Sequence, residues 1–329
     1  MEFMERETWY FLAPVIALLL GTAIYLAFMH PFQHYDPEGM RLQQSLELYS
    51  QLPPGSLLFF GESQVREDID CTLIEADTDV PCFNFGIAGI LPVQLALQKD
   101  LIIAAQPHRV VLGVTASFFD ETLNKNDDLF MIMNGHPGLA TDSFLEGKLT
   151  KNEQKLLSMN WFEKDLYKRK FFLPFYLSLF KWIIFSPPEV STAVSNFKNP
   201  HLFTINQSVL ELEARLTDPA IASIFWFENS SPRQREAFIY LISELREAGV
   251  EITIVQMPIH PLVTSLLSPE SQERFQDYLE NIANTYTLTI VNIEDYFAAE
   301  EFTDLTHLNS AGTVRLSLQI AAGDYHIIQ

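Results

Sequence analysis

The sequence predicts an α/β protein: a doubly wound parallel sheet with a large insertion, preceded by one transmembrane helix. Three features of its 329 residues predict this arrangement. An uncharged apolar run lies near the amino terminus, short apolar runs alternate with amphipathic stretches of helical length, and one connection is far longer than the others. We therefore divide the chain into an anchor (1–29), a stalk (30–55) and a sheet domain (56–329) with an insertion at about 116–231.

The anchor is predicted from the 20 uncharged residues between Trp9 and Phe28. In a helix this run spans roughly 30 Å, the thickness of the hydrocarbon core of a bilayer. A cleaved signal peptide is the alternative, but the segment before the run, MEFMERE, is acidic and the run is long, which favours retention. Arg6 precedes the run and the next Lys or Arg is Arg41, so we expect a single-pass protein of the cell membrane with its main domain extracytoplasmic.

The sheet domain is predicted from short apolar runs that alternate with helical segments. The predicted strands are Ser56–Phe60, Cys82–Ile87, Arg109–Val114, Glu251–Met257 and Thr287–Ile293. The predicted helices are Val65–Ala76, Pro92–Ala105, Pro232–Ala248, Pro269–Thr285 and Ser310–Ala322. Apolar strands that alternate with helices are typical of a parallel sheet covered on both faces, and right-handed crossovers make such a sheet doubly wound, or flavodoxin-like.

The insertion contains a basic and aromatic segment. Residues 148–181 include eight basic and three acidic residues, and KRKFFLPFYLSLFKWIIF (168–185) joins a basic cluster to an interrupted apolar run. Two interpretations stay open. The segment is either an interfacial helix that lies on anionic lipid or a buried helix with a solvated basic flank.

The composition limits the class of function. With 21 basic and 42 acidic residues the formal charge is −21, which argues against a protein that binds nucleic acid through its phosphates. The two cysteines, Cys71 and Cys82, are either a disulfide formed in an oxidising compartment or two unpaired apolar side chains. We find no spacing typical of a metal site and no phosphate-binding glycine-rich loop, and therefore expect no metal and no cofactor.

Two strand ends carry residues suited to acyl chemistry. Ser63, within GESQ (61–64), follows the first strand and precedes a helix, at the edge where open α/β sheets build their sites. Gly89 closes NFGIAG (84–89) after the second strand, where glycines let backbone N–H groups approach a ligand. Taken alone, each has an ordinary structural explanation, a helix N-cap and a tight turn.

A third candidate lies near the carboxyl end, in FTDLTHLNSAG (302–312). A serine hydroxyl is a poor nucleophile until a base removes its proton, and the base needs a carboxylate to orient it. Asp304 and His307, three residues apart, suit these two roles if the fold brings Ser63 to them. The alternative is a surface histidine in the loop before a helix.

GESQ, NFGIAG and DLTH, in this order, resemble the sequence blocks of the SGNH (GDSL-like) hydrolase superfamily. The resemblance covers roughly residues 56–115 and 232–322. It implies that Ser63 is the nucleophile, that Gly89 contributes to the oxyanion hole with the N–H of Ser63, and that Asp304 and His307 form the final DxxH block, with His307 as the base.

The chain departs from the family pattern at two positions. Glu62 stands where the first block usually has Asp. Thr115 stands where the third block supplies an Asn that donates to the oxyanion. We expect the hydroxyl of Thr115, or that of Ser117, to donate in its place. Loss of one oxyanion donor typically costs about 3–4 kcal/mol of transition-state stabilisation. We therefore expect either slow turnover of simple esters or a site that is completed by the insertion.

The anchor, the missing Asn and the insertion resemble the membrane-anchored branch of the superfamily, which includes the D-alanyl transfer protein of teichoic acid synthesis and the alginate O-acetylation proteins. The resemblance implies a serine acyl-esterase or acyltransferase that acts on acyl groups of a surface polymer, beside a membrane-bound acyltransferase. Two alternatives stay open: an inactive accessory protein that binds the acylated polymer, and a lipid-associated esterase. Asn84 and His260, at the ends of the second and fourth strands, are candidate substrate contacts, and for His260 a simple loop position is the alternative.

Overall fold

A computed structural model describes residues 37–121, 127–139, 142–160, 197–199, 207–218, 223–293, 296–325 and 327, and the single positions 14, 15, 17, 18, 20, 21, 163 and 221. The chain divides into two compact units. One comprises residues 1–40 and 161–189, of which few positions are described. The other comprises residues 41–160 and 190–329 and contains all the strands discussed below.

The described residues contain a five-stranded sheet in which all strands are parallel, in the order β2-β1-β3-β4-β5. The strands are β1 (Leu57–Phe60), β2 (Cys82–Asn84), β3 (Arg109–Val114), β4 (Glu251–Gln256) and β5 (Thr289–Asn292). Each lies within a predicted strand, so the prediction of an α/β fold with a parallel sheet is confirmed. The register pairs Phe59 with both Asn84 and Val111, which brings the ends of the three strands to one edge.

The central strands are buried on both faces. All four residues of β1 are buried, and so are the last five of β3 and of β4. Leu57 and Phe59 join one apolar cluster with Val111 and Val255. Because successive side chains of a strand point to opposite faces, Leu58 and Phe60 contribute to the opposite side. Continuous apolar strands are what a sheet covered on both faces requires.

The helices with described bounds follow the predicted alternation. They are α1 (Pro37–Leu48), α2 (Ser63–Asp68), α3 (Cys71–Thr78), α4 (Pro92–Ala96), α5 (Lys99–Ala104), α6 (Asp127–Met133), α7 (Ser143–Lys148), α8 (Lys151–Ser158), α9 (Val209–Leu216), α10 (Pro232–Glu247), α11 (Pro261–Thr264), α12 (Pro269–Tyr286) and α13 (Ser310–Ala321). The predicted helices Val65–Ala76 and Pro92–Ala105 are each two helices, α2 and α3 in the first and α4 and α5 in the second. In the first, the break lies at Asp70, whose carboxylate accepts hydrogen bonds from the N–H groups of Thr72 and Leu73 and so caps a new helix.

The segment assigned to a stalk contains a helix that contacts the sheet domain. In α1, Arg41 donates hydrogen bonds of 2.6 Å to the carbonyl oxygens of Gly86 and Asn84, just past β2. The ring of Tyr49, after α1, stacks on Phe85 with centroids 4.9 Å apart. From Arg41 onward the segment is therefore packed against the loop that follows β2.

The described part of the insertion consists of helices α6–α9 and short 3-10 turns. Arg233, in α10, lies 2.8 Å from Glu121 and 3.0 Å from Glu153, so one guanidinium joins the start of the insertion and α8 to the sheet domain. Farther along the insertion, the carbonyl of Lys198 accepts a hydrogen bond from the N–H of Thr72 in α3. Cys71 and Cys82 form a disulfide that links α3 to β2, which resolves the two interpretations of these cysteines.

Two predicted segments lie wholly or mostly outside the described residues: the anchor run at 9–28, except positions 14, 15, 17, 18, 20 and 21, and all of the basic and aromatic run at 168–185. Across the part of the chain that is described, no helix combines the length and the apolar character that crossing a bilayer requires.

Candidate active site

Ser63 is the first residue of α2 and follows a tight turn at the end of β1. The turn packs so closely against β3 that a Cβ atom on Gly61 would lie 2.4 Å from the carbonyl oxygen of Gly113. A Cβ atom on Gly113 would in turn lie 2.3 Å from a methyl group of Val65. Both glycines are therefore required sterically, and they hold the start of α2 against the sheet at its carboxyl edge.

The Ser63 hydroxyl lies within hydrogen-bond distance of an imidazole from the other end of the chain. The Nε2 atom of His307 is 2.9 Å from the Oγ of Ser63, and its Nδ1 atom is 2.9 Å from Oδ2 of Asp304. The three side chains form one continuous chain of hydrogen bonds, from carboxylate to imidazole to hydroxyl. The structure thus brings together the serine, histidine and aspartate that the sequence motifs single out.

The loop that carries Asp304 and His307 is held by its own backbone. Oδ1 of Asp304 accepts hydrogen bonds from the N–H groups of Thr306 (2.8 Å) and His307 (2.9 Å). The N–H of Thr303 donates to the carbonyl of His307, which closes the loop. Asn309 then caps α13 by accepting from the N–H groups of two residues in its first turn. These bonds set the orientation of the imidazole before any substrate is bound.

Asp304 is ionised at neutral pH. Burial acts to raise its pKa, but the hydrogen bonds from the side chain and backbone of His307 and the N–H of Thr306, together with the nearby imidazole, outweigh burial and lower the pKa to about 2. A carboxylate in this position stabilises an imidazolium cation on His307.

Asp68 connects the two halves of the site and was not singled out from the sequence. It is fully buried at the end of α2, and its Oδ1 accepts a hydrogen bond of 2.9 Å from the N–H of Leu308. Burial raises its pKa well above the usual value, although the bond from Leu308 opposes this. Because α2 begins at Ser63 and Leu308 follows His307, this bond helps to set the distance between the hydroxyl and the imidazole. A lone aspartate in a helix carries no sequence signal for such a role.

The Gly89 turn lies beside the Ser63 turn. The N–H of Ile87 donates to the carbonyl of Gly61 at 3.0 Å, and Ile90 closes a turn back to Ile87. Gly89 occupies the third position of that turn with φ of 68°, a conformation that favours glycine. The conformation of the turn is therefore enough to explain why residue 89 is a glycine. The turn also brings the Gly89 backbone to the same edge of the sheet as Ser63.

Thr115 follows β3 and belongs to a small polar network. Its Oγ1 lies 2.7 Å from the Oγ of Ser117, which donates to Oε2 of Glu62 at 3.1 Å. Its Oγ1 also lies 3.5 Å from Oε1 of Gln64. Glu62 and Gln64, which flank Ser63 in the sequence, thus contact the hydroxyls of Ser117 and Thr115 respectively.

The two candidate substrate contacts are both buried and hydrogen-bonded within the protein. The amide of Asn84 donates to the carbonyls of Val65 and Ile69, and its oxygen accepts from the N–H of Gly86. Asn84 therefore holds α2 against β2. His260 is 2% exposed, and its Nδ1 accepts from the N–H of Leu262, so it caps α11. Burial lowers the pKa of His260, although Asp304 opposes this, so its imidazole is neutral.

A cavity of about 330 Å³ adjoins Thr115 at the carboxyl ends of β3, β4 and β5. Its apolar lining comes from Met257 and Ile259 after β4, Phe225 of the insertion, and Leu267 and Phe275 near and within α12. Uncharged polar side chains, among them Gln256 and Asn292, line it as well. This volume lies within the range of small-molecule sites, but Ser63, Asp304 and His307 are not among the residues that line the cavity. Among the described residues, no group of three or more His, Cys, Asp or Glu side chains is placed to hold a metal ion.

No protein-family model matches the chain, and no curated protein is similar enough in sequence to match it.

Proposed function

We propose that the chain is a serine acyl-esterase or acyltransferase of the SGNH type. The observation that carries the proposal is the chain of hydrogen bonds through Asp304, His307 and Ser63, with two distances of 2.9 Å. The strand order 2-1-3-4-5 supports it, because this is the order of doubly wound, flavodoxin-like sheets. The three sequence blocks that resemble the superfamily all contribute to one edge of this sheet.

The reaction would begin with attack of the Ser63 Oγ on an ester carbonyl. His307 Nε2 takes the hydroxyl proton, and Asp304 stabilises the resulting imidazolium. The N–H groups of Ser63 and Gly89 would bind the negative charge that develops on the carbonyl oxygen. Collapse of the tetrahedral intermediate breaks the bond to the leaving alcohol, which receives the proton from His307. Water or the hydroxyl of an acceptor then attacks the acyl-enzyme by the same steps in reverse.

We further propose that the substrate is an acyl or ester group on a cell-surface polysaccharide or other polymer outside the cytoplasm. The 20-residue uncharged run supports a membrane-anchored location. The Cys71–Cys82 disulfide supports an oxidising compartment. A membrane-bound acyltransferase would be the partner that supplies or receives the acyl group.

A fluorophosphonate probe, which labels activated serines, tests the proposal on the full chain in detergent. Labelling of the wild type should be abolished by Ser63→Ala. The matched control is Ser158→Ala, which removes an exposed hydroxyl at the end of α8 and should leave labelling unchanged. Labelling that persists in Ser63→Ala, or no labelling of the wild type, would overturn the proposal; the second result would favour an inactive accessory protein.

A further inference from the structure

Gln64, next to Ser63, has a buried amide nitrogen that has no hydrogen-bond partner among the described residues. The side chain is 4% exposed. Buried donors are nearly always paired, since an unpaired one costs free energy. An unpaired donor beside the proposed nucleophile is available to a charge that develops only during the reaction.

The hydroxyl of Thr115 is committed elsewhere. Ser117 donates its proton to the carboxylate of Glu62, so its oxygen is left to accept. Each hydroxyl has a single proton. Thr115 Oγ1 lies 2.7 Å from Ser117 Oγ and 3.5 Å from Gln64 Oε1, so the shorter contact favours donation of the Thr115 proton to Ser117. The same bond keeps that proton from an oxyanion.

The amide of Gln64 lies beside the residue at which the resemblance expects a side-chain donor. Its Oε1 is 3.5 Å from Oγ1 of Thr115, the residue at the position where the resemblance expects a donating Asn. Gln and Asn carry the same primary amide, and Gln is one methylene longer. The longer side chain of Gln64 can bring an amide attached to α2 to the position that the family fills with an Asn attached after β3.

We propose that Nε2 of Gln64 is the side-chain donor of the oxyanion hole, together with the N–H groups of Ser63 and Gly89. This inference rests on the proposed function. The amide hydrogen bonds the carbonyl oxygen of the substrate as that oxygen becomes negative in the tetrahedral intermediate, and it releases the oxygen when the carbonyl re-forms. Because the bond is made mainly in the transition state, Gln64 would raise kcat and have little effect on KM.

The test compares the wild type with Gln64→Met in the full chain in detergent, with p-nitrophenyl acetate as substrate. Met keeps the length of the side chain and removes the donor, so kcat should fall about 10²–10³-fold with KM nearly unchanged. Gln64→Glu keeps the shape and replaces the donor with an acceptor, so kcat of this variant should fall by at least as much. The control is Gln98→Met, at a buried glutamine that bonds to Tyr49 and Gln94 instead. Gln98→Met should lower the free energy of unfolding and leave kcat near the wild-type value.

A transition-state analogue separates a catalytic role from a packing role. An alkyl trifluoromethyl ketone forms a hemiketal with serine whose oxygen occupies the oxyanion hole. Across the Gln64 variants its affinity should fall by the same factor as kcat/KM. A loss of kcat/KM with unchanged affinity for the ketone would assign Gln64 a structural role and overturn the proposal.

Two further outcomes distinguish the inference from the proposed function. If Ser63→Ala leaves wild-type turnover unchanged, the proposed function fails and the inference fails with it. If turnover depends on Ser63 but Gln64→Met keeps it within threefold, only the inference is wrong. Thr115→Val should lower kcat only a few-fold. A hundredfold loss in Thr115→Val, with a small loss in Gln64→Met, would make Thr115 the donor instead.

Discussion

The Nε2 atom of His307 lies 2.9 Å from the Oγ of Ser63, although the two residues are 244 positions apart in the chain. Three sets of contacts produce this distance. The packing of Gly61 against Gly113 positions the serine, the backbone bonds to Asp304 orient the imidazole, and the bond between Asp68 and Leu308 joins the two elements. Each set involves different residues and can be changed separately by substitution.

Asp304→Asn should lower kcat by about 10³–10⁴-fold, because the amide cannot stabilise an imidazolium and favours the wrong tautomer of His307. Hydrolysis of p-nitrophenyl acetate measures the effect. Asp277→Asn, at an exposed position of α12, is the matched control and should keep wild-type activity. Equal activities of the two variants would show that Asp304 does not act on the base.

The stability of the protein should depend on Asp304 between about pH 4 and pH 2. The pKa of Asp304 is lowered from 3.8 to about 2 in the folded chain, so its ionised form contributes stability that is fully present above pH 4. That contribution, about 2 kcal/mol, is lost as the pH falls through the folded pKa. Urea unfolding of the wild type and Asp304→Asn from pH 2 to 6 measures it. A difference between them that does not vary with pH would contradict the assignment.

Gly61→Ala should lower both the free energy of unfolding and kcat. The new Cβ atom would lie 2.4 Å from the Gly113 carbonyl, so the turn must shift, at a cost of about 1–3 kcal/mol, and Ser63 moves with it. Gly147→Ala is the control, since nothing lies within 4 Å of a Cβ atom there and α7 should gain about 0.5–1 kcal/mol. Urea unfolding and ester hydrolysis report the two effects, and wild-type values for Gly61→Ala would be inconsistent with the packing described.

Asn84→Ala should reduce stability by about 2–4 kcal/mol, because it leaves the carbonyls of Val65 and Ile69 and the N–H of Gly86 without their buried partner. Urea unfolding measures the loss. Asn281→Ala, on the exposed side of α12, should change stability by less than about 0.5 kcal/mol. If Asn84→Ala instead raised KM at unchanged stability, Asn84 would be a substrate contact after all.

The elements of the sheet domain could be predicted because they depend on local pattern. Each of the five strands is a short apolar run, and burial on both faces is what requires such a run. The helix α1 within the predicted stalk was missed. Its contacts are made with residues about 40 positions away, through Arg41 and the carbonyls of Asn84 and Gly86. A local sequence pattern does not reveal contacts between residues that are so far apart in the chain.

By itself, the sequence determined which residues can do chemistry and where they lie in the order of strands: Ser63 after the first strand, and Asp304 and His307 before the last helix. Only the tertiary structure decided what each polar side chain contacts. Asn84 and His260, which the sequence offered as substrate contacts, are occupied by backbone groups, whereas Gln64 has a buried amide whose Nε2 is unpaired among the described residues. The physical reason is that residue type sets which hydrogen bonds a group can make, whereas the register of the sheet and the packing of its turns set which partner lies within 3 Å.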